Sequence, residues 1–452
     1  MRAPQLFVKT ALACALTSAA VASWAQAPTM DLKQVYQAAL EQDATIRASR
    51  AAADSGRERL PQARAGLLPQ ISASAGRNNN NLDTTAPNIL GTPVTTNDKY
   101  LSDNKTVQLR QPLVNIQRWL QFQQAKSVVE EVEANLDRDL QNLVVRVAGA
   151  YFEALMSDEQ LDLVLAQKKT YTALVDAAKK GLAAGSGTRT DIDDAQSRLD
   201  MAAAQELEAR QNQDLARRQL QLLVNQPVDQ IAKLNVAALR LSAPMPANLD
   251  DWTRKAEQAS PEIRAMQARL DAARREVSKA QAGHLPTVDA VAQWSNSGSE
   301  NITRVNSRFE NKTIGLQLNI PLYSGGYVNS TIRQAVAEQT RAEESLEALR
   351  RDLGVRVHKE YRGVSEGVLR VRALEQAARS AEQMMKSTQM SLTAGSRTQL
   401  DVLNAQQQFT LALRDLAQAR LVYLLSKVRL ASLVGDDAMV SVEQVNGSLR
   451  VR

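Results

Sequence analysis

The feature that most constrains this chain is where its prolines are missing. It has 13 prolines, but none falls between Pro112 and Pro227 and none after Pro321. Proline interrupts an interior helix by removing a donor and clashing with the preceding turn, so two windows of more than a hundred residues are free to be helical. Both windows are rich in Ala, Leu, Gln, Glu, Arg and Lys, the strong helix formers. In the first, apolar residues recur near the helical period at Phe122, Ala125, Val129, Val132, Leu136, Leu140, Leu143, Val147 and Tyr151. The second repeats the pattern from Leu346 and Leu349 through Leu353, Val357, Tyr361, Val364 and Val368 to Val371. A helix from about Ile116 to Gly181 would extend roughly 100 Å at a rise of about 1.5 Å per residue. Helices this long exceed one compact domain and imply coiled-coil pairing.

Each window is broken once, at Ala184-Gly185-Ser186-Gly187-Thr188 and at Ala394-Gly395-Ser396-Arg397-Thr398. Gly followed by Ser and Thr ends one helix and caps the next, the signature of a helical hairpin tip. The two tips are 210 residues apart, and at the same offset Tyr151 matches Tyr361, Asp191 matches Asp401, Ala195-Gln196 matches Ala405-Gln406 and Leu223-Val224 matches Leu433-Val434. Upstream the offset drifts slightly, Leu68-Pro69 matching Leu285-Pro286. The chain therefore reads as a tandem duplication. Its expected divisions are a first repeat at 26–225, a connector at 226–248, a second repeat at 249–435 and a C-terminal tail at 436–452.

Between the opening helix and the long helix of each repeat the period changes to two. Strands are expected near 70–78, 105–112, 287–295 and 312–320, with Ile314, Leu316, Leu318 and Ile320 on one face and Thr313, Gly315, Gln317 and Asn319 on the other. The polar stretch from Asn78 to Asp103 reads as hairpin loop. Four strands with one apolar face cannot close, and an open sheet in lipid would leave its edge groups unsatisfied. Either these are soluble hairpins, or several chains join. Three would supply twelve strands, within the range of outer-membrane barrels.

The one long apolar stretch, Leu6 to Ala25, has the basic residues Arg2 and Lys9 at its start and ends in small residues, as a secretory signal does; cleavage is expected after Ala25, making 1–25 a signal peptide. It would carry away Cys14, the single cysteine, and lower the formal net charge of +6 by two. The remaining chain would cross an oxidising compartment with no disulfide to support it. Lys and Arg form no stripe interleaved with aromatics, so nucleic-acid binding is not supported. His284 and His358 are the only histidines, and no Gly-rich phosphate loop or metal-ligand spacing occurs, so the sequence offers no basis for an enzyme, a cofactor or a metal.

Several separate runs resemble the TolC family of outer-membrane exit ducts. They are Asp31-Leu-Lys-Gln-Val-Tyr36, Ala282-Gly-His-Leu-Pro-Thr287, Asn311-Lys312, Ile320-Pro-Leu-Tyr-Ser-Gly-Gly326 with Val328-Asn-Ser330, and Ser396-Arg-Thr-Gln-Leu-Asp-Val-Leu403. The resemblance covers nearly the whole chain beyond the signal. It implies a mostly α fold with a small β part: long coiled-coil hairpins building an α-barrel, and four strands per protomer contributing to a twelve-stranded transmembrane β-barrel in a homotrimer. It further implies an exit duct for small-molecule efflux or type I protein secretion, seated in outer-membrane lipid with a long periplasmic extension. The expected partners are a periplasmic adaptor (membrane fusion protein) and an inner-membrane RND or ABC transporter.

Carried over by position, the resemblance makes Thr190 and Asp191 gate residues on one hairpin, Arg397 the gate arginine on the other, and Asp401 a ring aspartate. Gly185, Ser186, Gly395 and Ser396 correspond to the adaptor-docking tips. Leu392 stands at the position of a gate tyrosine and Asn404 at that of a second ring aspartate, which thins the polar links; Asp194 is the candidate to replace part of the lost charge, and an Asp191–Arg397 contact the candidate latch. A second reading stays open, because Thr188-x-x-Asp191 and Thr398-x-x-Asp401 also fit capping boxes, which need no channel. Trp119, Phe122, Tyr323 and Tyr327 are either a membrane-interface belt or helix packing. The competing class is an elongated periplasmic scaffold without a pore, which would have no use for four period-two segments.

Overall fold

A computed structural model describes residues 29–300 and 307–450; the expected signal peptide lies outside them. Three helices open the chain, α1 (Leu32–Gln42), α2 (Ala44–Arg57) and α3 (Arg59–Ala65). A single opening helix was expected, and Asp43 explains the first break. Its N–H bonds the Ala39 carbonyl to end α1, while its carboxylate accepts from Ile46 N–H at 2.9 Å to start α2. Burial pushes that carboxyl's pKa up, but the Ile46 amide and the Arg146 guanidinium together hold it below its ordinary value.

Strands β1 (Gln70–Pro87) and β2 (Pro93–Val114) follow. They replace the expected short strands at 70–78 and 105–112 and run through most of the stretch read as loop. Apolar alternation is absent there, but antiparallel pairing satisfies the backbone without it, from Gln70 opposite Arg110 to Pro87 opposite Pro93. Side chains add Thr85 to Thr95 at 2.7 Å and Asn80 to Ser102 at 2.8 Å. The turn is closed by Asn88, whose Oδ1 accepts from Leu90 and Thr92 N–H, with Gly91 at φ 78°.

Next comes a hairpin of two long helices, α4 (Ile116–Ala183, 68 residues) and α5 (Arg189–Val224, 36 residues). The connector contains the short β3 (Lys233–Leu234) and leads to α6 (Leu249–Ala259) and α7 (Pro261–Gln281). The second repeat adds β4 (Thr287–Ser299) and β5 (Ser307–Asn319), then α8 (Tyr327–Thr393, 67 residues) and α9 (Gln399–Leu433, 35 residues). The chain ends with α10 (Ala438–Asn446) and β6 (Leu449–Arg450), which pairs with β3.

The main core lies where the connector, α1, α6 and α10 wrap the middle of the long helices. Leu143, Val147, Tyr151, Leu353, Val357, Val364 and Val371 from the two predicted stripes are buried in it. Tyr151 and Tyr361, equivalent in the duplication, do equivalent work: Tyr151 Oη donates to the Ala232 carbonyl at 2.9 Å, and Tyr361 Oη donates to the Ala247 carbonyl. Both carbonyls belong to the connector, so each repeat fastens the same strap. Burial raises the pKa of the Tyr151 phenol, keeping it a neutral donor.

Candidate functional site: the four-stranded sheet and the hairpin tips

The four long strands form one antiparallel sheet in the order β1-β2-β4-β5. Its register puts Ile71, Leu109, Ala292 and Ile314 in one row across all four strands. The adjacent row, Ser72, Gln108, Gln293 and Thr313, points to the opposite face. One face is therefore apolar and the other polar, and on the apolar side Ile71, Ile314, Leu316 and Leu318 are 59–90% exposed. A soluble sheet buries such a face. On the polar face Arg110 meets the buried Asp289, Nε to Oδ2 at 3.0 Å. No helix among the described residues is long and apolar enough to cross a membrane. At the helical ends of the strands Trp119, Tyr323 and Tyr327 are exposed; Phe122 lies 6.0 Å from Trp119 between ring centroids, with Lys126 Nζ 4.9 Å above its ring.

The far end of the long helices is built from two matching turns. Gly185 (φ 74°) and Gly395 (φ 76°) take the left-handed conformation that reverses the chain. Ser186 N–H and Ser396 N–H each reach back 3.0 Å to the carbonyls of Gly181 and Ser391. The four tip residues are exposed, and the two serine hydroxyls also bond those carbonyls, at 3.3 and 3.2 Å. Both capping boxes form. Asp191 N–H donates to Thr188 Oγ1 at 3.2 Å and Asp191 Oδ2 accepts from Thr188 N–H at 2.9 Å; the same pair at Thr398 and Asp401 measures 3.3 and 3.0 Å.

The structure does not bring Asp191 and Arg397 together within one chain. Arg397 lies over its own helix, 3.7 Å from Asp401. Thr190 is exposed and Asp194 half-buried, and neither side chain has a hydrogen-bond partner among the described residues. The two tips belong to different hairpins, and each aspartate stays with the threonine of its own cap.

Within a chain the hairpins are joined by residues of which the sequence had singled out only Leu392 and Asn404. Tyr171 and Leu174 of α4, Ala202 of α5, and Val402 and Leu403 of α9 form a small buried cluster, with Leu199 and Leu392 packed on it. Leu392, at the gate-tyrosine position, thus contributes packing rather than a hydrogen bond. Arg198 of α5 reaches α9, Nη2 to Asn404 Oδ1 at 2.9 Å and Nη1 to Gln407 Oε1 at 3.1 Å. The one available signal was that Arg198 lies a heptad beyond Asp191. Lower on the first hairpin, Glu206 takes Lys168 Nζ at 2.7 Å and Arg210 at 2.7 Å, and these two cations, Lys168 foremost, hold its carboxyl below its usual pKa.

The sequence signature of the outer membrane efflux protein family matches residues 35–226 and 252–436. The alkaline protease secretion protein AprF of Pseudomonas aeruginosa is 33% identical over 426 residues, covering 92% of this chain and 88% of AprF. The outer membrane protein TolC of Escherichia coli is 29% identical over 419 residues, covering 90% of this chain and 82% of TolC. Among solved structures, the outer membrane protein VceC of Vibrio cholerae superimposes with a TM-score of 0.75 at 19% identity, over 90% of this chain and 96% of VceC. The chain belongs to the outer membrane efflux protein family and is an exit channel of the outer membrane, extending into the periplasm through its long helices.

Proposed function

We propose that the working unit is a homotrimer whose twelve strands close the barrel and whose hairpin tips form a periplasmic constriction. The observation that carries this reading is the open sheet: one face is an exposed apolar band, and the outer edges of β1 and β5 have no strand partner among the described residues. In lipid those edges must pair, and pairing β5 of one protomer with β1 of the next closes the ring without leaving a free edge. The helices carry matching seams. Met201, Leu215 and Leu222 on α5, and Val355, Leu369 and Met390 on α8, lie whole heptads apart and are exposed in the single chain.

At the constriction Asp191, Asp194 and Asp401 each occur three times around a narrow passage, with Thr190 beside them and Arg397 facing them from the neighbouring protomer. Carboxylate rings favour cations, and Arg397 tethers the tips by engaging Asp191 across the interface. Gly185, Ser186, Gly395 and Ser396 present the outermost surface to a periplasmic adaptor, which delivers the duct to an RND or ABC transporter. The duct does no chemistry in this reading; the pump chooses the cargo. Segment 226–248, with the tail from 436, forms a belt around the tunnel's middle.

The test is single-channel conductance in a planar bilayer. Arg397→Glu places a third carboxylate against Asp191 and Asp401 and is expected to raise conductance severalfold with cation selectivity retained. An unchanged conductance would remove Arg397 from the latch.

A further inference from the structure

We propose that Arg198 is the clasp between the two hairpins of each protomer, a positioning residue that holds the constriction narrow through two neutral acceptors. The inference rests on the constriction reading above and extends it to a contact inside one chain. Its side chain leaves α5 and donates to Asn404 and Gln407, one turn apart on α9, at 2.9 and 3.1 Å. Two acceptors at that spacing suit the planar fork of a guanidinium, which fixes direction as well as distance. Beneath the fork, the apolar cluster that includes Leu199 and Leu403 brings all four long helices together. Apolar packing is non-directional, so near the tips the directional contact between hairpins is the one Arg198 makes.

The acceptors matter as much as the donor. Arg198 makes no ion pair among the described residues, and both of its hydrogen-bond partners are neutral amides. Asn404, where the family resemblance expected a carboxylate, therefore faces a cation rather than adding an anion. Each protomer has a positive group one heptad from Asp191, which lessens the cation preference set by the aspartates. Arg198 thus has two separable effects, a geometric one through its fork and an electrostatic one through its charge.

The variants separate them. Arg198→Ala is expected to raise single-channel conductance severalfold and to increase cation selectivity. Arg198→Lys keeps the charge and loses the fork, so conductance should rise with selectivity unchanged. The Asn404→Ala/Gln407→Ala pair, both exposed positions, should match Arg198→Lys, and adding it to Arg198→Ala should give no further rise. Trimer mass and helical circular dichroism confirm that each variant is assembled. If the acceptor pair leaves conductance unaltered, or if its effect adds to that of Arg198→Ala, the clasp is wrong. Arg397→Glu, measured in parallel, separates the two readings: a response there with none at Arg198 overturns the clasp alone, whereas silence at both removes the tip constriction and the clasp with it.

Discussion

Asp191 and Asp401 each form a local cap, and the proposed trimer would gather the same side chains into a shared ring. Each accepts from its own threonine three residues earlier, an arrangement set by the first turn of a helix and readable from Thr-x-x-Asp alone. For Asp401 the Thr398 backbone amide, the Thr398 hydroxyl and nearby Arg397 hold the carboxyl below its ordinary value of 3.8, against a smaller push from burial. A depressed carboxylate adds stability above its unfolded pKa and loses it as pH falls through the folded value. The first turn of α9 is therefore expected to open more readily as pH drops below about 4. Hydrogen exchange at the amides following Thr398, corrected for the intrinsic rate, should quicken there relative to mid-helix amides, and Asp401→Asn should remove that dependence. Arg198 lies at the other extreme of legibility. Its partners are 206 and 209 residues away, and no local pattern names them.

At the scale of elements, helices were more legible than strands. The four long helices keep an apolar stripe and lack proline, so their existence and turns follow from period and capping. The opening helix was harder because Asp43 is both a stop and a start, a dual role that depends on its dihedral angles and on Arg146 packed beside it. Strand lengths were harder still. Period two identifies only the parts of β1 and β2 that cross the apolar band; the rest is held by cross-strand pairing that Thr and Asn permit without alternation. That distinction makes a prediction for β5. Leu316, 74% exposed on the apolar face, should reject a charge if the face meets lipid. Leu316→Lys is expected to weaken membrane insertion by about 2–4 kcal/mol at mid-depth, whereas Gln317→Lys on the polar face should be tolerated. Folding into lipid vesicles, followed by a heat-modifiable gel shift, compares them; equal insertion would mean that the two faces share one environment.

For the whole molecule, the duplication is more than a sequence curiosity, because Tyr151 and Tyr361 attach the two repeats to one connector by the same bond. Equivalent straps place the two hairpins side by side and leave each with an exposed seam. Met201, Leu215 and Leu222 face outward on α5, an arrangement that costs solubility unless another copy covers it. Leu215→Glu with Leu222→Glu should therefore shift the detergent-solubilised protein from the proposed trimer toward monomer, read as mass by light scattering, while Leu207→Glu, off that heptad phase, should leave that trimer intact. A trimer that survives the double change would place the seam elsewhere.

The sequence by itself determined what depends on neighbours along the chain: long helices from proline-free apolar periods, tips from Gly and Thr, four amphipathic strands from alternation, and two repeats from an offset that is constant through the helical hairpins. These signals are local or periodic, so they survive in one dimension. Only the tertiary structure decided which strands share a row, how far β1 and β2 extend, that Arg397 turns to its own helix, and that Arg198 crosses to Asn404 and Gln407. Each depends on segments far apart in sequence being packed within hydrogen-bond reach, and that distance is set by the core at the waist rather than by the residues at the contact.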